Sequence, residues 1–176
     1  MNNHYHSEDY ACKTKLNKKH TTLEDAVFMR YKLQQLECIN PCNPPKDISQ
    51  EREYQMYCNI GKFLCATGFT PSLVGFKYLR QAIFYCCLSS EAVGTKRRFY
   101  EMLELINAEF FTRIERSIRY SITMAAATGK LLKINDFFNA KVIDIAIPPC
   151  NSELIAISVE MFKMLMANDK KADSLF

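Results

Sequence analysis

The sequence predicts an all-α protein, a compact domain of about five to six helices preceded by an N-terminal helical extension. Apolar residues recur at the helical period over several long stretches, a spacing that places them on one side of a helix. The 176 residues include only five Gly and six Pro, fewer than a protein built from many tight turns requires. Hydrophobic residues make up 48% and charged residues 24% of the chain, a globular composition that excludes wholesale disorder.

The N-terminal part, residues 1–46, is expected to form a flexible basic arm, an extra helix and a Pro-rich hinge. Its beginning is polar and rich in Lys, which is typical of a mobile terminus. Thr21 and Glu24 have the spacing of a capping box, and the apolar stripe after them predicts a helix over residues 22–39. The prolines within residues 40–45 end this helix because Pro lacks a backbone N–H. The stripe must be buried on the chain's own core, which we expect, or against another molecule.

The second part, residues 47–176, is predicted to be the folded domain. Its first four helices are expected at residues 50–67 (ending before Gly68), 75–89 (apolar on most sides and therefore central), from the cap Thr95 to Asn107, and 110–128 (ending before Gly129). Gly and Asn suit these helix ends because they tolerate the left-handed backbone conformation. Residues 131–147 predict a short helix and then an extended segment. Asn151 or Ser152 is expected to cap a last helix that runs to Ala167.

Eight cysteines raise the question of a metal site or of disulfides. Cys38 and Cys42 have a spacing that zinc tolerates, but no second pair follows at a matching interval and the three histidines lie in the first twenty residues. The sequence has no apolar segment of the length of a membrane span or a secretory signal. We therefore expect a cytoplasmic chain with reduced thiols, without a metal, another cofactor or a membrane partner. An enzyme is disfavoured as well, since the predicted domain contains no histidine base and no Gly-rich phosphate loop.

Basic charge is concentrated in residues 95–133, which carry eight Lys and Arg against four acidic residues, so that this segment alone contributes +4. Two predicted helices in this segment are joined by only a few residues, as in a helix-turn-helix. Projection of the second helix places Phe111, Ile114, Ile118, Ile122 and Ala125 on a core-facing stripe. The candidate binding residues lie on the other side: Thr112, Arg113, Glu115, Arg116, Ser117, Arg119 and Tyr120.

These residue types suit the major groove of DNA. Arg bonds a guanine edge with two hydrogen bonds, a carboxylate accepts from cytosine N4, and Thr, Ser and Tyr hold phosphates. The same pattern also fits a solvated surface helix with an ion pair between Glu115 and Arg119. Spacing by itself leaves both interpretations open.

Three blocks of sequence add specificity, namely GFKYLRQAI at 75–83, RIERSIRY at 113–120 and NSELIA at 151–156. In order and separation they resemble the C-terminal DNA-binding effector domain of the sporulation master response regulators of endospore-forming bacteria. The resemblance covers about residues 55–167. It implies an all-helical domain that binds a short box in promoter DNA through a recognition helix.

The resemblance also implies residue roles. The family's base-reading Arg, Glu and Arg correspond to Arg113, Glu115 and Arg116, preceded by the small hydroxyl residue Thr112. Arg119 matches the next Arg of the family, and Tyr120 replaces a His.

The chain departs from the family pattern at three places. Ser72 and Val74 stand where the family has a His and a Lys, so the loop before the second helix of the domain lacks its phosphate-directed charge. Glu109 and Phe110 replace a Thr-Thr pair. The family's regulators also carry a receiver domain of about 120 residues. Only about 50 residues precede the match here, so the expectation is an effector domain that acts without phosphorylation.

The sequence therefore favours a sequence-specific transcription regulator whose partner is double-stranded promoter DNA. RNA polymerase or another regulator is a further partner that this interpretation allows, as is a homodimer on tandem DNA sites. The alternative is a degenerate helix-turn-helix module that binds a protein partner instead of DNA, because a fold by itself does not fix a function.

Overall fold

The computed structural model of the protein describes residues 23–89, 96–144 and 146–167, and within these ranges it is all-α. A single N-terminal helix and six further helices confirm the predicted class: α1 (Leu23–Glu37), α2 (Ile48–Ala66), α3 (Val74–Leu88), α4 (Lys96–Asn107), α5 (Phe111–Ala127), α6 (Lys133–Phe138) and α7 (Asn151–Ala167). Thr21 and Thr95, which were expected to cap two of the helices, lie outside the described residues.

The central helix of the core is α3, as its apolar composition predicted. It packs against α2, α4, α5 and α7, and nine of its fifteen residues are buried. The main partner of α3 is α5, whose side chains Ile114, Ile118, Ile122 and Ala125 are completely buried. The predicted stripe of α5 is therefore confirmed at these four positions, whereas Phe111 remains 39% exposed.

The N-terminal helix α1 folds back onto this core. Its side chains Ala26, Met29, Leu33 and Leu36 are at most 5% exposed, and they pack against α4 and α2. The Arg30 guanidinium donates a hydrogen bond to the backbone carbonyl of Leu105 in α4. These four residues of the apolar stripe are thus buried within the chain itself, as expected, whereas Leu23 and Val27 of the same predicted stripe are 68% and 60% exposed.

Three helix ends were expected at residues that tolerate the left-handed conformation, and two of them are confirmed. Gly68 and Gly129 have positive φ values of 94° and 71°, which confirms both predicted stops. The expected left-handed conformation at Asn107 is wrong, because it falls on Ala108, whose φ is 50°. Asn107 stays helical since its Nδ2 donates to the carbonyl of Leu103 at 3.0 Å and to Oε1 of Gln81 in α3 at 2.9 Å.

We predict that Ala108→Gly stabilises the protein by about 1 kcal/mol, because a residue with a Cβ is strained in the left-handed conformation. Thermal unfolding followed by circular dichroism measures this gain. The same substitution at Ala127, the last helical residue of α5, is the control and should lower stability, because glycine is a poor helix former. A loss of stability in Ala108→Gly would contradict the prediction.

The start of α7 differs from the prediction that Asn151 or Ser152 caps it. The helix begins at Asn151, and the residue before it, Cys150, accepts the backbone N–H of Leu154 at 3.0 Å. Glu153 Oε2 accepts the N–H of Cys150 at 2.7 Å, one half of a capping box. The reason is a competing contact, since the Asn151 side chain is buried against other helices.

Before α6 the chain makes a 3-10 turn at Lys130–Leu132, and after it residues 141–144 have no regular secondary structure. The short helix predicted within residues 131–147 is therefore α6. Asn135 holds the extended segment to α6, because its Oδ1 accepts the N–H groups of Val142 and Ile143 at 2.9 Å and 2.7 Å.

The described cysteines are free thiols. Cys86 is buried, and burial raises the pKa of its thiol to about 12, so it packs as a small hydrophobic residue. Cys38 and Cys42 are exposed, and the described residues contain no group of three or more potential metal ligands. Among the described helices, none has both the length and the apolar character that crossing a membrane requires.

Candidate nucleic-acid interface

The segment predicted to form a helix-turn-helix consists of α4, the connection 108–110 and α5. The connection is short because Ala108 reverses the backbone with its positive φ. The N–H of Glu109 then donates to the carbonyl of Glu104 in α4 at 3.3 Å. These contacts fix the start of α5 relative to α4, while the apolar stripe of α5 fixes its rotation against α3.

One side of α5 faces solvent along most of its length. The candidate residues that the structure exposes on this side are Thr112, Arg113, Glu115, Arg116, Arg119 and Tyr120. Tyr120 is 55% exposed. The helical projection is therefore confirmed at these six positions, which lie on one surface, whereas Ser117 is half-buried and Phe111 of the predicted core stripe is 39% exposed.

Two carboxylates from outside α5 hold its N-terminus. Glu104 Oε1 accepts the N–H of Phe111 at 2.7 Å, and Glu109 Oε1 accepts the N–H of Phe110 at 3.2 Å. Negative charge is favourable there because unpaired N–H groups of the first turn carry partial positive charge. Glu109 Oε2 also pairs with the Arg113 guanidinium at 2.9 Å, although the Arg113 side chain remains 74% exposed. Arg113 is thus oriented at the tip of the helix and still accessible.

Ser117 and Arg119 are partly engaged within the protein. Ser117 is half-buried, and its hydroxyl donates to the carbonyl of Arg113 one turn earlier at 2.8 Å. The Arg119 guanidinium donates to the carbonyl of Pro149 at 2.9 Å, which ties α5 to the segment before α7. Arg119 therefore has a structural contact that its position on the exposed face did not predict.

A buried hydrogen-bond group anchors the middle of α5 to α7. Asn151 Nδ2 donates to the Tyr100 hydroxyl at 2.9 Å and to the carbonyl of Glu115 at 3.0 Å. Burial is the main cause that raises the pKa of Tyr100, so its hydroxyl stays protonated near neutral pH. Asn151 Oδ1 is buried and has no hydrogen-bond partner among the described residues. Since the Glu115 backbone is held this way, its side chain projects from a fixed point.

An open groove of about 840 Å³ runs between α5 and the start of α7. Its wall from α5 includes Glu115, Arg116 and Tyr120, and Tyr100 and Phe111 line it with aromatic rings. The two rings contact each other edge to face, with 4.6 Å between their centroids. The candidate interface is therefore a helix bordered by a groove.

The segment that leads into the first turn of α3 lacks positive charge where the resemblance would place it. Ser72 and Val74 are both exposed, so neither residue has been recruited into the core. This departure from the family pattern lies at the surface.

Sequence reasoning did not identify several residues that shape this surface, namely Tyr100, Glu104, Glu109, Phe110 and Asn151. Glu109 and Phe110 had a usable signal because they depart from the family's Thr-Thr pair. Asn151 was noticed in the sequence only as a candidate helix cap, which did not indicate its contact with another helix. Nothing in the local sequence indicated the contacts of Tyr100 and Glu104.

Comparison with known families agrees with this architecture. Residues 60–162 match the family model described as "Sporulation initiation factor Spo0A C terminal". The match covers more than half of the 176 residues and contains α3 to α6 in full. It confirms the resemblance drawn from the three sequence blocks.

Proposed function

The chain belongs to the family of sporulation initiation factor Spo0A C-terminal domains, which are DNA-binding effector domains of a sporulation regulator, and we propose that it reads a specific double-stranded DNA sequence as a transcription regulator. The observation that carries this proposal is the solvent side of α5, where Arg113, Glu115 and Arg116 are exposed together. The opposite side of the same helix is completely buried at Ile114 and Ile118. The three side chains that are proposed to contact the bases are therefore carried by a helix that packs firmly against the core.

The proposed contacts follow from the chemistry of these groups. Arg113 and Arg116 each present a planar guanidinium that can donate two hydrogen bonds to guanine O6 and N7. Glu115 accepts from cytosine N4. Thr112 and Tyr120 carry hydroxyls for phosphate oxygens, and Ser117 is proposed to assist them once its intrahelical bond opens. These contacts would place the N-terminal half of α5 in the major groove.

Glu109 has a proposed positioning role toward Arg113. Its carboxylate is 2.9 Å from the guanidinium, so the long Arg side chain is ordered before DNA arrives. An ordered side chain loses less conformational entropy when it binds. Arg119, by contrast, is proposed to contact a phosphate with the donors that its bond to Pro149 leaves available.

We propose promoter DNA as the partner, together with a cytoplasmic location and a regulatory instead of a catalytic role. Further proposed partners are RNA polymerase or another regulator, and a second copy of this chain on tandem DNA sites. A protein partner in place of DNA is a second candidate. It is favoured by the exposed Ser72 and Val74, because a surface without basic residues at these positions offers less to phosphates.

The test is a selection of bound sequences from random duplexes, followed by titration of the selected duplex at two salt concentrations. We expect specific binding that weakens steeply with salt, because Lys and Arg release counterions from phosphates. Binding that is absent even at low salt would favour the protein-partner function.

Variants of α5 then separate base reading from simple charge attraction. Arg116→Ala and Arg113→Ala are each expected to weaken binding to the selected duplex by about 5- to 150-fold, the equivalent of ~1–3 kcal/mol. Binding to random duplexes should change much less. Lys62→Ala is the matched control, because Lys62 is an exposed cation on α2, and its loss should leave the selected duplex almost unaffected.

Glu115→Ala distinguishes base reading from charge attraction, because the two mechanisms predict opposite changes in DNA affinity. A purely electrostatic binder gains affinity for every duplex when it loses an acidic residue. A base-reading Glu115 instead loses discrimination at one base pair. Equal tightening on all duplexes would contradict direct readout by α5.

A further inference from the structure

Phe110 is the most exposed large hydrophobic side chain among the described residues, with 79% of its surface accessible. It occupies the N-cap position of α5, where it provides no side-chain hydrogen bond. Ser, Thr, Asp and Asn dominate this position because their oxygens accept N–H groups of the first turn. The N-cap position of α5 therefore lacks a capping side chain and carries an exposed apolar ring. Such a departure from the residue preference of a helix start is typical of functional sites.

The backbone that carries this ring is held firmly. The Phe110 carbonyl accepts the N–H groups of Arg113 and Ile114 at 3.0 Å and 3.1 Å, and its own N–H donates to Glu109. Glu104 takes over the missing cap by accepting the N–H of Phe111. The next ring, Phe111, contacts Tyr100 and lies half in the protein. Only the Phe110 ring points out from a fixed backbone at the tip of the helix.

The groups at this tip indicate what Phe110 can contact. Glu104 accepts the N–H of Phe111, and Glu109 is paired with the exposed Arg113, whereas the apolar Phe110 ring offers no donor to a phosphate. The first residues of a recognition helix reach base edges in the major groove, where the C5-methyl of thymine is the apolar group displayed. We infer that Phe110 is a specificity-determining residue that contacts a thymine methyl group, an inference that rests on the proposed function.

The experiment uses the full chain and the duplex obtained by selection. Each thymine is replaced in turn by deoxyuridine, which removes only the methyl group. One replacement is expected to weaken binding of the unmodified protein about fourfold, the effect of one buried methyl group. Phe110→Ser should bind the original duplex more weakly by at least this factor and should be insensitive to the same replacement. Serine is chosen because its hydroxyl can cap α5 and preserve the fold, while it lacks a methyl group that could still contact thymine.

Ile48→Ser is the matched control, because Ile48 is 74% exposed at the start of α2. This variant should keep both the affinity and the sensitivity to deoxyuridine. Specific binding without any sensitive thymine, or the same sensitivity in Phe110→Ser, would overturn the inference and leave the proposed function intact. Failure to select any duplex would overturn both together.

Discussion

Gly75→Ala is expected to destabilise the protein by about 3 kcal/mol, the upper part of the range for an overpacked core. Gly75 lies in the first turn of α3, where α3 crosses α5. A Cβ at this position would lie 2.1 Å from the carbonyl oxygen of Ser117 and 2.3 Å from Ser121 Oγ. The first of these atoms belongs to the backbone of α5, so it cannot turn away as the end of a side chain could. The two helices would have to separate.

Thermal unfolding measures this effect, and a loss of this size should lower the melting temperature by about 6–12 °C. Gly61→Ala is the matched control, because a Cβ on Gly61 would meet only the end of the Arg80 side chain, at 3.3 Å. Alanine also favours the helical conformation over glycine, so Gly61→Ala should unfold near the original temperature. An unchanged melting temperature in Gly75→Ala would show that α5 can move without cost.

Deletion of residues 1–46 is expected to destabilise the protein at least as much as any single core substitution in α1. The deletion removes the buried side chains Met29, Leu33 and Leu36 and uncovers the surfaces of α4 and α2 that they contact. Exposing this apolar area to water is unfavourable by about 1.5–3 kcal/mol for each large side chain. The truncated chain should still be a monomer if it folds, and calorimetry with size-exclusion chromatography measures both properties.

Two point substitutions in α1 make this prediction independent of whether the truncated chain folds. Leu36→Ala should lower the free energy of unfolding by about 2–5 kcal/mol, since Leu36 is 2% exposed. Val27→Ala removes a side chain that is 60% exposed, and it should change the free energy of unfolding by less than ~0.5 kcal/mol. Equal effects of the two substitutions, or a truncated chain as stable as the complete one, would contradict the fold-back of α1 as a source of stability.

The helices and the exposed side of α5 could be predicted because they depend on local patterns. Ile114, Ile118 and Ile122 recur at the helical spacing, and one turn of helix brings residues three or four apart onto the same side. Gly68 and Gly129 marked helix ends because a glycine accepts positive φ without strain. The three sequence blocks identified the family, which the match over residues 60–162 confirms.

The tertiary structure alone decided how the candidate interface is held. Arg119 bonds Pro149 thirty residues away, and Asn151 bonds Tyr100 at a separation of 51 residues. Asn151 was expected to cap its own helix, but its Nδ2 instead donates to the Tyr100 hydroxyl and to the Glu115 carbonyl on two other helices, partners that no local pattern indicates. Asn107 likewise stays helical because its Nδ2 donates a hydrogen bond to Oε1 of Gln81 on α3. Sequence by itself determined the core-facing side of α5 at Ile114, Ile118 and Ile122, because that property is set within one or two turns, although Phe111 of the same predicted stripe is 39% exposed. The hydrogen bonds of Arg119 and Asn151 between distant elements could not be predicted in this way, because only the folded chain brings their partners within hydrogen-bonding distance.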